Sequence, residues 1–151
     1  MNKKAFLTAG SLALAISTAT TAVYSAELEE IIVTAQKRAE SLQDVPISMS
    51  ALSGSTIKDN GIHSFQDLSG YVPNLEIAEN AVNTIITMRG IGIGSNQSFE
   101  QSVGIYVDGV HFGKSRQVRS GLFDVEQMEV LRGPQGILFG KNTLAGAINV
   151  T

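Results

Sequence analysis

Few residues in this chain invite a chemical reading. Gly136 to Lys141 runs Gly-Ile-Leu-Phe-Gly-Lys, which has the outline of a phosphate-cradling loop. Such a loop needs Gly, four residues, Gly-Lys and then Ser or Thr, so that backbone amides hold phosphates and a hydroxyl holds magnesium. Counting back from Gly140-Lys141 puts Gln135 where the first glycine belongs, and Asn142 where the hydroxyl belongs. The pattern fails twice. Gly90, Gly92 and Gly94 fail the dinucleotide fingerprint, whose third glycine follows the second by three residues. Asp108, Asp124, Glu126 and Glu129 are the carboxylates on offer for acid/base work. With no Ser, Cys or His in a recognisable nucleophile context, they read as solvated turn and strand charges. His63 and His111 stand alone, and there is no cysteine. Neither a structural metal site nor a disulfide is indicated. Asn96-Gln97-Ser98 fits the glycosylation tripeptide, a pattern too common to weigh. No active site, metal or cofactor is implied.

Two arginines are more informative. Arg89 follows Thr84-Ile85-Ile86-Thr87-Met88, Arg132 follows Glu129-Val130-Leu131, and a glycine comes directly after each. A cation at the end of an apolar strand is expensive to bury without a partner. A following glycine lets another surface approach the backbone closely. The repeated design points to two guanidiniums facing a surface that carries carboxylates, which the planar fork of arginine holds bidentately.

The elements that must position these residues can be read along the chain. Its 151 residues and formal charge of −3 allow one modest domain plus a targeting segment. Residues 1–26 have a secretory layout: Lys3 and Lys4, an apolar run from Ala5 to about Ile16, then small residues ending at Ser25-Ala26. Cleavage is expected after Ser25 or Ala26. Without Lys3 and Lys4 the chain carries 9 basic and 14 acidic residues, so nothing resembles a basic stripe for nucleic acid. Residues 27–43 read as a tether: acidic Glu27 to Glu30, β-branched Ile31-Ile32-Val33, then polar Gln36 to Gln43. So short an extended segment flanked by charge cannot fold alone and awaits a sheet.

From Asp44 onward, packed elements are predicted. Val45 to Ala51 alternates as a half-buried strand does. Ser53 or Ser55 caps a helix ending near Asn60-Gly61, and Ser64 caps another over Phe65 to Tyr71, stopped by Pro73. Strands are expected at Leu75 to Ala78, Thr84 to Arg89, Val103 to Asp108, Met128 to Arg132 and Ala147 to Val150. Pro134 starts a helical turn reaching Phe139. The fold class is α+β, a small mixed β-sheet with short helices. Ile91 to Ser98 is a glycine-rich polar loop of a kind that often carries recognition.

The order of these strings resembles a known family. Pro73-Asn74-Leu75, Met88-Arg89-Gly90-Ile91-Gly92, Val103 to Val110, Val125 to Gly136, Leu138-Phe139-Gly140 and Asn142 to Val150 look like the plug domain of TonB-dependent outer-membrane receptors. Upstream, Glu30-Ile31-Ile32-Val33-Thr34-Ala35 is similar to that family's TonB box. The resemblance implies a plug over 44–151 that fills a 22-stranded barrel, with Arg89 and Arg132 against carboxylates of the barrel wall. It implies that Glu30 to Ala35 pairs as an added strand with the TonB C-terminal domain, energised through ExbB–ExbD. Gly94, Ser95, Asn96, Gln97 and Ser98, with the wider loop Ile91 to Ser102 and His111 to Ser120, would face a ligand such as a ferric siderophore. A barrel strand takes roughly ten residues, so the expectation is a fragment, or a plug whose barrel is encoded separately. Outer-membrane residence is expected with a barrel and periplasmic residence without one. The alternative is a free-standing periplasmic binding or signalling module; a small secreted enzyme is disfavoured by the failed motifs.

With both arginines unpaired, the isolated chain is expected to be marginally stable with mobile loops. A high urea midpoint together with slow amide exchange throughout would contradict this.

Overall fold

The computed structural model describes residues 30–34, 36–81, 83–94 and 100–151. The expected leader at 1–26 lies outside the described residues. Nine strands are described: β1 Ile32–Val33, β2 Glu40–Ser41, β3 Met49–Ser53, β4 Leu75–Glu79, β5 Thr84–Met88, β6 Val103–Val107, β7 Val110–His111, β8 Gln127–Arg132 and β9 Gly146–Val150. Five of them form the central sheet in the order β3-β8-β9-β6-β7. Only β6 and β9 run parallel there; the other neighbours are antiparallel. The fold is the expected mixed sheet with short helices.

Each element has a local cause. The Ser53 hydroxyl caps the helix Gly54–Asp59 by accepting the Thr56 amide at 3.3 Å. Gly61, at φ +64°, carries the chain out of that helix. The second expected helix is a 3-10 segment, Gln66–Gly70, and Asp67 organises its start in place of Ser64. The Asp67 carboxylate accepts the amides of His63 and Ser64 and the Ser64 hydroxyl, each at 2.9 Å. These bonds, the His63 amide first, hold its pKa below the ordinary value. The first strand starts later than its alternation suggests, at Met49, because Pro46 offers no ladder donor. Asp108 and Gly109 leave the strand for a tight turn, with φ +50° and +77°, and so create β7.

The main core lies on one face of the central sheet. Ile105, Met128, Val130 and Ile148 project from the sheet onto Ile57, Phe65 and Leu68, and onto the separate β4–β5 hairpin through Ile77, Ile86 and Met88. The sheet's second face holds a smaller cluster of Tyr106, Leu131 and Ala147, with Ile47, Met49 and Phe139 against it. Both faces are therefore covered.

Neighbouring β8 and the hairpin's Met88 crowd β9 so closely that only glycine fits at position 146. A Cβ there would collide with the Leu131 carbonyl oxygen and the Met88 sulfur. Since the obstructing oxygen is backbone, relaxation is costly, and Gly146→Ala is expected to destabilise the chain by about 3 kcal/mol. Urea denaturation of the two chains measures it; a change under half of that would mean that β8 and Met88 yield readily to the added methyl.

Candidate functional site

The segment expected to be a tether is folded back on the main body of the chain. β1 pairs antiparallel with β2, Ile32 opposite Ser41 and Val33 opposite Glu40. The Leu42 amide continues the ladder by donating to the Ile31 carbonyl at 2.9 Å, and the Lys37 amide closes the turn on the Thr34 carbonyl at 2.7 Å. Val33 is buried, whereas Ile32 is 45% exposed. This corrects the picture of an extended, unpaired strand: the polar residues after Lys37 return to pair with it. Arg38 and Glu40 add an ion pair at 2.9 Å on the outside, of a kind that contributes little. Of the expected coupling residues, Glu30, Ile31, Ile32, Val33 and Thr34 are described, and Ala35 lies outside the described residues.

The segment is held by a residue that reads as a solvated charge in sequence. Glu129 is fully buried in β8, while Asp108, Asp124 and Glu126 are exposed as expected. Its carboxylate accepts the Thr34 amide, the Gln127 side-chain amide at 3.1 Å and the Asn149 side-chain amide at 2.9 Å. Gln127 also donates to the Ile32 carbonyl at 2.9 Å. A buried carboxylate needs such donors, and half of the explanation for the folded-back segment lies there. Beside it is a groove of about 300 Å³ lined by Thr34, Lys37, Tyr106, Phe139, Asn149 and Thr151, among others. Tyr106 donates its hydroxyl to the Phe139 carbonyl at 2.5 Å, and burial raises its pKa. His111 stacks on the same ring, 5.1 Å between centroids.

The structure brings Arg89 and Arg132 together. Arg89 does not end a strand: Arg89 and Gly90, at φ +52° and +77°, are the two central residues of a tight turn closed by Met88 and Ile91. A non-glycine residue in that region is disfavoured by roughly 1–2 kcal/mol. Its Nη1 lies 3.9 Å from where a Cβ on Gly133 would sit. Arg132 donates to the Pro73 carbonyl at 3.3 Å, the Ser48 hydroxyl at 3.2 Å and the Ser50 hydroxyl. Burial, and then the positive charge of Arg89, lower its pKa. Among the described residues neither guanidinium is paired with a carboxylate; the ion pairs are Arg38–Glu40 and Lys141–Glu100.

The loops converge elsewhere. Gly94 is exposed, and Ser95, Asn96, Gln97 and Ser98 lie outside the described residues. Glu100 is held by Asn142 at 2.6 Å and Lys141 at 3.1 Å, contacts that lower its pKa in that order. Lys141 thus serves an ion pair, and the helix Gly136–Phe139 behind it has four residues, with no phosphate cradle. The segment His111 to Ser120 contains a 3-10 turn, Ser115–Arg119. Arg119 ties it to the β4–β5 turn through the Thr84 hydroxyl at 3.1 Å and the Asn80 carbonyl at 2.5 Å. Among the described residues no group of three or more His, Cys, Asp or Glu is placed to hold a metal.

Comparison with known proteins bears on this arrangement. The family model described as TonB-dependent Receptor Plug Domain matches residues 41–147. The pesticin receptor of Yersinia pestis is 32% identical over 123 residues, covering 80% of this chain and 18% of the receptor. The iron-regulated outer membrane virulence protein of Vibrio cholerae is 30% identical over 135 residues, covering 81% of this chain and 20% of that protein. The crystal structure of the ferric yersiniabactin uptake receptor FyuA from Yersinia pestis superposes with a TM-score of 0.62 at 34% identity, over 69% of this chain and 16% of that one. The chain therefore spans about a fifth of the length of the curated relatives it matches.

Arg89 occupies a disfavoured backbone conformation beside a second cation. Asparagine suits that conformation and carries no charge. Arg89→Asn is therefore expected to stabilise the isolated chain by about 1 kcal/mol, read as a higher urea midpoint at unchanged slope. A loss of the same size would show that Arg89 is satisfied within the chain.

Proposed function

The chain belongs to the family of TonB-dependent receptor plug domains, and from that premise we propose that it gates an outer-membrane receptor that takes up a scarce ligand such as a ferric siderophore. The observation that carries this reading is the unpaired arginine couple. Two neighbouring cations with no carboxylate partner among the described residues suit a surface completed by something else. The wall of a β-barrel bearing carboxylates supplies that complement, and each planar fork then holds one in two parallel bonds. A conformation as costly as that of Arg89 is retained where such a contact depends on it.

Energy reaches the plug through β1. Glu30 to Ala35 adds as a strand to the TonB C-terminal domain, main-chain bonds supplying affinity largely independent of side chains. Force from TonB, driven through ExbB–ExbD, is transmitted along the chain to β3 and the central sheet. Movement there opens a path past the plug. The ligand is met by the loop that begins at Gly94 and includes Ser95, Asn96, Gln97 and Ser98, which lie outside the described residues. The segment His111 to Ser120 joins it, held to the β4–β5 turn by Arg119. That the relatives include an uptake receptor for ferric yersiniabactin and an iron-regulated outer-membrane protein supports an iron chelate as cargo.

The test is capture of the chain on immobilised TonB C-terminal domain. Weak capture is expected, and Ile32→Pro abolishes it because proline removes a ladder donor. Capture that is indifferent to proline at 32 and at 33 would move the coupling site elsewhere.

A further inference from the structure

The edge of β1 available for strand addition is already occupied, by side chains. Successive residues of a strand turn their backbone groups to opposite edges. The bond from the Leu42 amide to the Ile31 carbonyl turns Ile31 and Val33 toward β2. The Ile32 carbonyl and the Thr34 amide consequently face the other edge. Each has a partner there: Gln127 donates its Nε2 to the Ile32 carbonyl at 2.9 Å, and Glu129 accepts the Thr34 amide on Oε1. Gln127 and Glu129 are two apart on β8, so their side chains leave the same face of the sheet. They are joined to each other at 3.1 Å. One offers a donor and the other an acceptor, as the peptide groups of a neighbouring strand would.

We propose that Gln127 and Glu129 are a built-in surrogate strand that seals the coupling edge of β1 until it is displaced. This deepens the reading above and rests on it for the identity of the competitor. The seal has a definite strength because of where Glu129 sits. Its carboxylate is fully buried, and Asn149 fixes the second oxygen at 2.9 Å. When Thr34 leaves, Glu129 loses two donors, the Thr34 amide and the Thr34 hydroxyl at 3.4 Å, so departure is opposed. β2 occupies the far edge throughout, so the two-stranded unit can be lifted without first being unzipped. An incoming strand must supply a donor for Ile32 and an acceptor for Thr34 in place of the two side chains, and the binding equilibrium therefore includes the opening of the seal.

The chain has no cysteine, so Ile32→Cys, at an exposed position, accepts a single nitroxide in the full chain. The label is expected to be largely immobile. Gln127→Ala, at the half-buried rim of the sheet, removes one bond to β1 and should increase the ratio of mobile to immobile label about tenfold; Thr34→Pro removes both the amide and the hydroxyl bond to Glu129 and should increase it by about that much or more, the shifts expected from losing hydrogen bonds of ordinary net strength. Equal mobility with and without these changes overturns the seal. In a second arm, the unlabelled full chain, its Gln127→Ala variant and a synthetic peptide of residues 27–43 are titrated with TonB C-terminal domain. The peptide should bind about tenfold more tightly than the chain, and Gln127→Ala should close most of that gap. Equal affinities for chain, variant and peptide overturn the proposal. If the peptide fails to bind at all, the strand-addition reading falls, and the label alone decides the seal.

Discussion

A carboxylate buried at the centre of a sheet cannot be left to itself, and Glu129 organises the second face of this molecule for that reason. Desolvation forbids the charge without hydrogen-bond donors. The sheet supplies two from its own strands, Gln127 and Asn149, and the third is a backbone amide from a segment far away in sequence. The segment is thus drawn back over β8, and Val33 is buried with it. The covered face, the groove against Tyr106 and Phe139, and the closed edge of β1 all follow from one charge in that place.

The opposite tendency governs the arginine couple. Arg89 and Arg132 are brought together by a tight turn and a strand end, where mutual repulsion and partial burial both disfavour them. Local hydroxyls and carbonyls take up some of the donors of Arg132, but no described carboxylate neutralises either cation. A fold can tolerate this where a second body completes the charge balance. One side of the plug is therefore finished internally by hydrogen bonds to an anion, while another is left unfinished with cations.

Local features translated directly from sequence into structure. The serine at 53 caps its helix, Asn60-Gly61 ends it, and the expected strands at Thr84 to Met88 and Met128 to Arg132 are formed. Errors arose where a local rule had two solutions. Arg89 after a run of β-branched residues reads as a strand end, yet Arg89-Gly90 forms the centre of a turn that reverses the chain. Ser64 reads as a cap, yet Asp67 reaches back to gather the amides at 63 and 64. Glu129 reads as a solvated strand charge, which holds only if nothing lies over that face of β8.

What the amino-acid order determined by itself was the inventory: the α+β class, the succession of the six longer strands, the absence of a catalytic pattern and the strings that mark the family. Caps, turns and alternation depend on atoms a few residues apart, so sequence suffices to read them. Tertiary structure alone decided that Glu129 is buried, that Arg89 meets Arg132 and which edge of β1 is occupied. Each of these depends on groups brought together across the chain, such as Thr34 and Glu129 at a separation of 95 residues. A charge is dear or cheap according to what surrounds it in space, and no spacing along the chain records that.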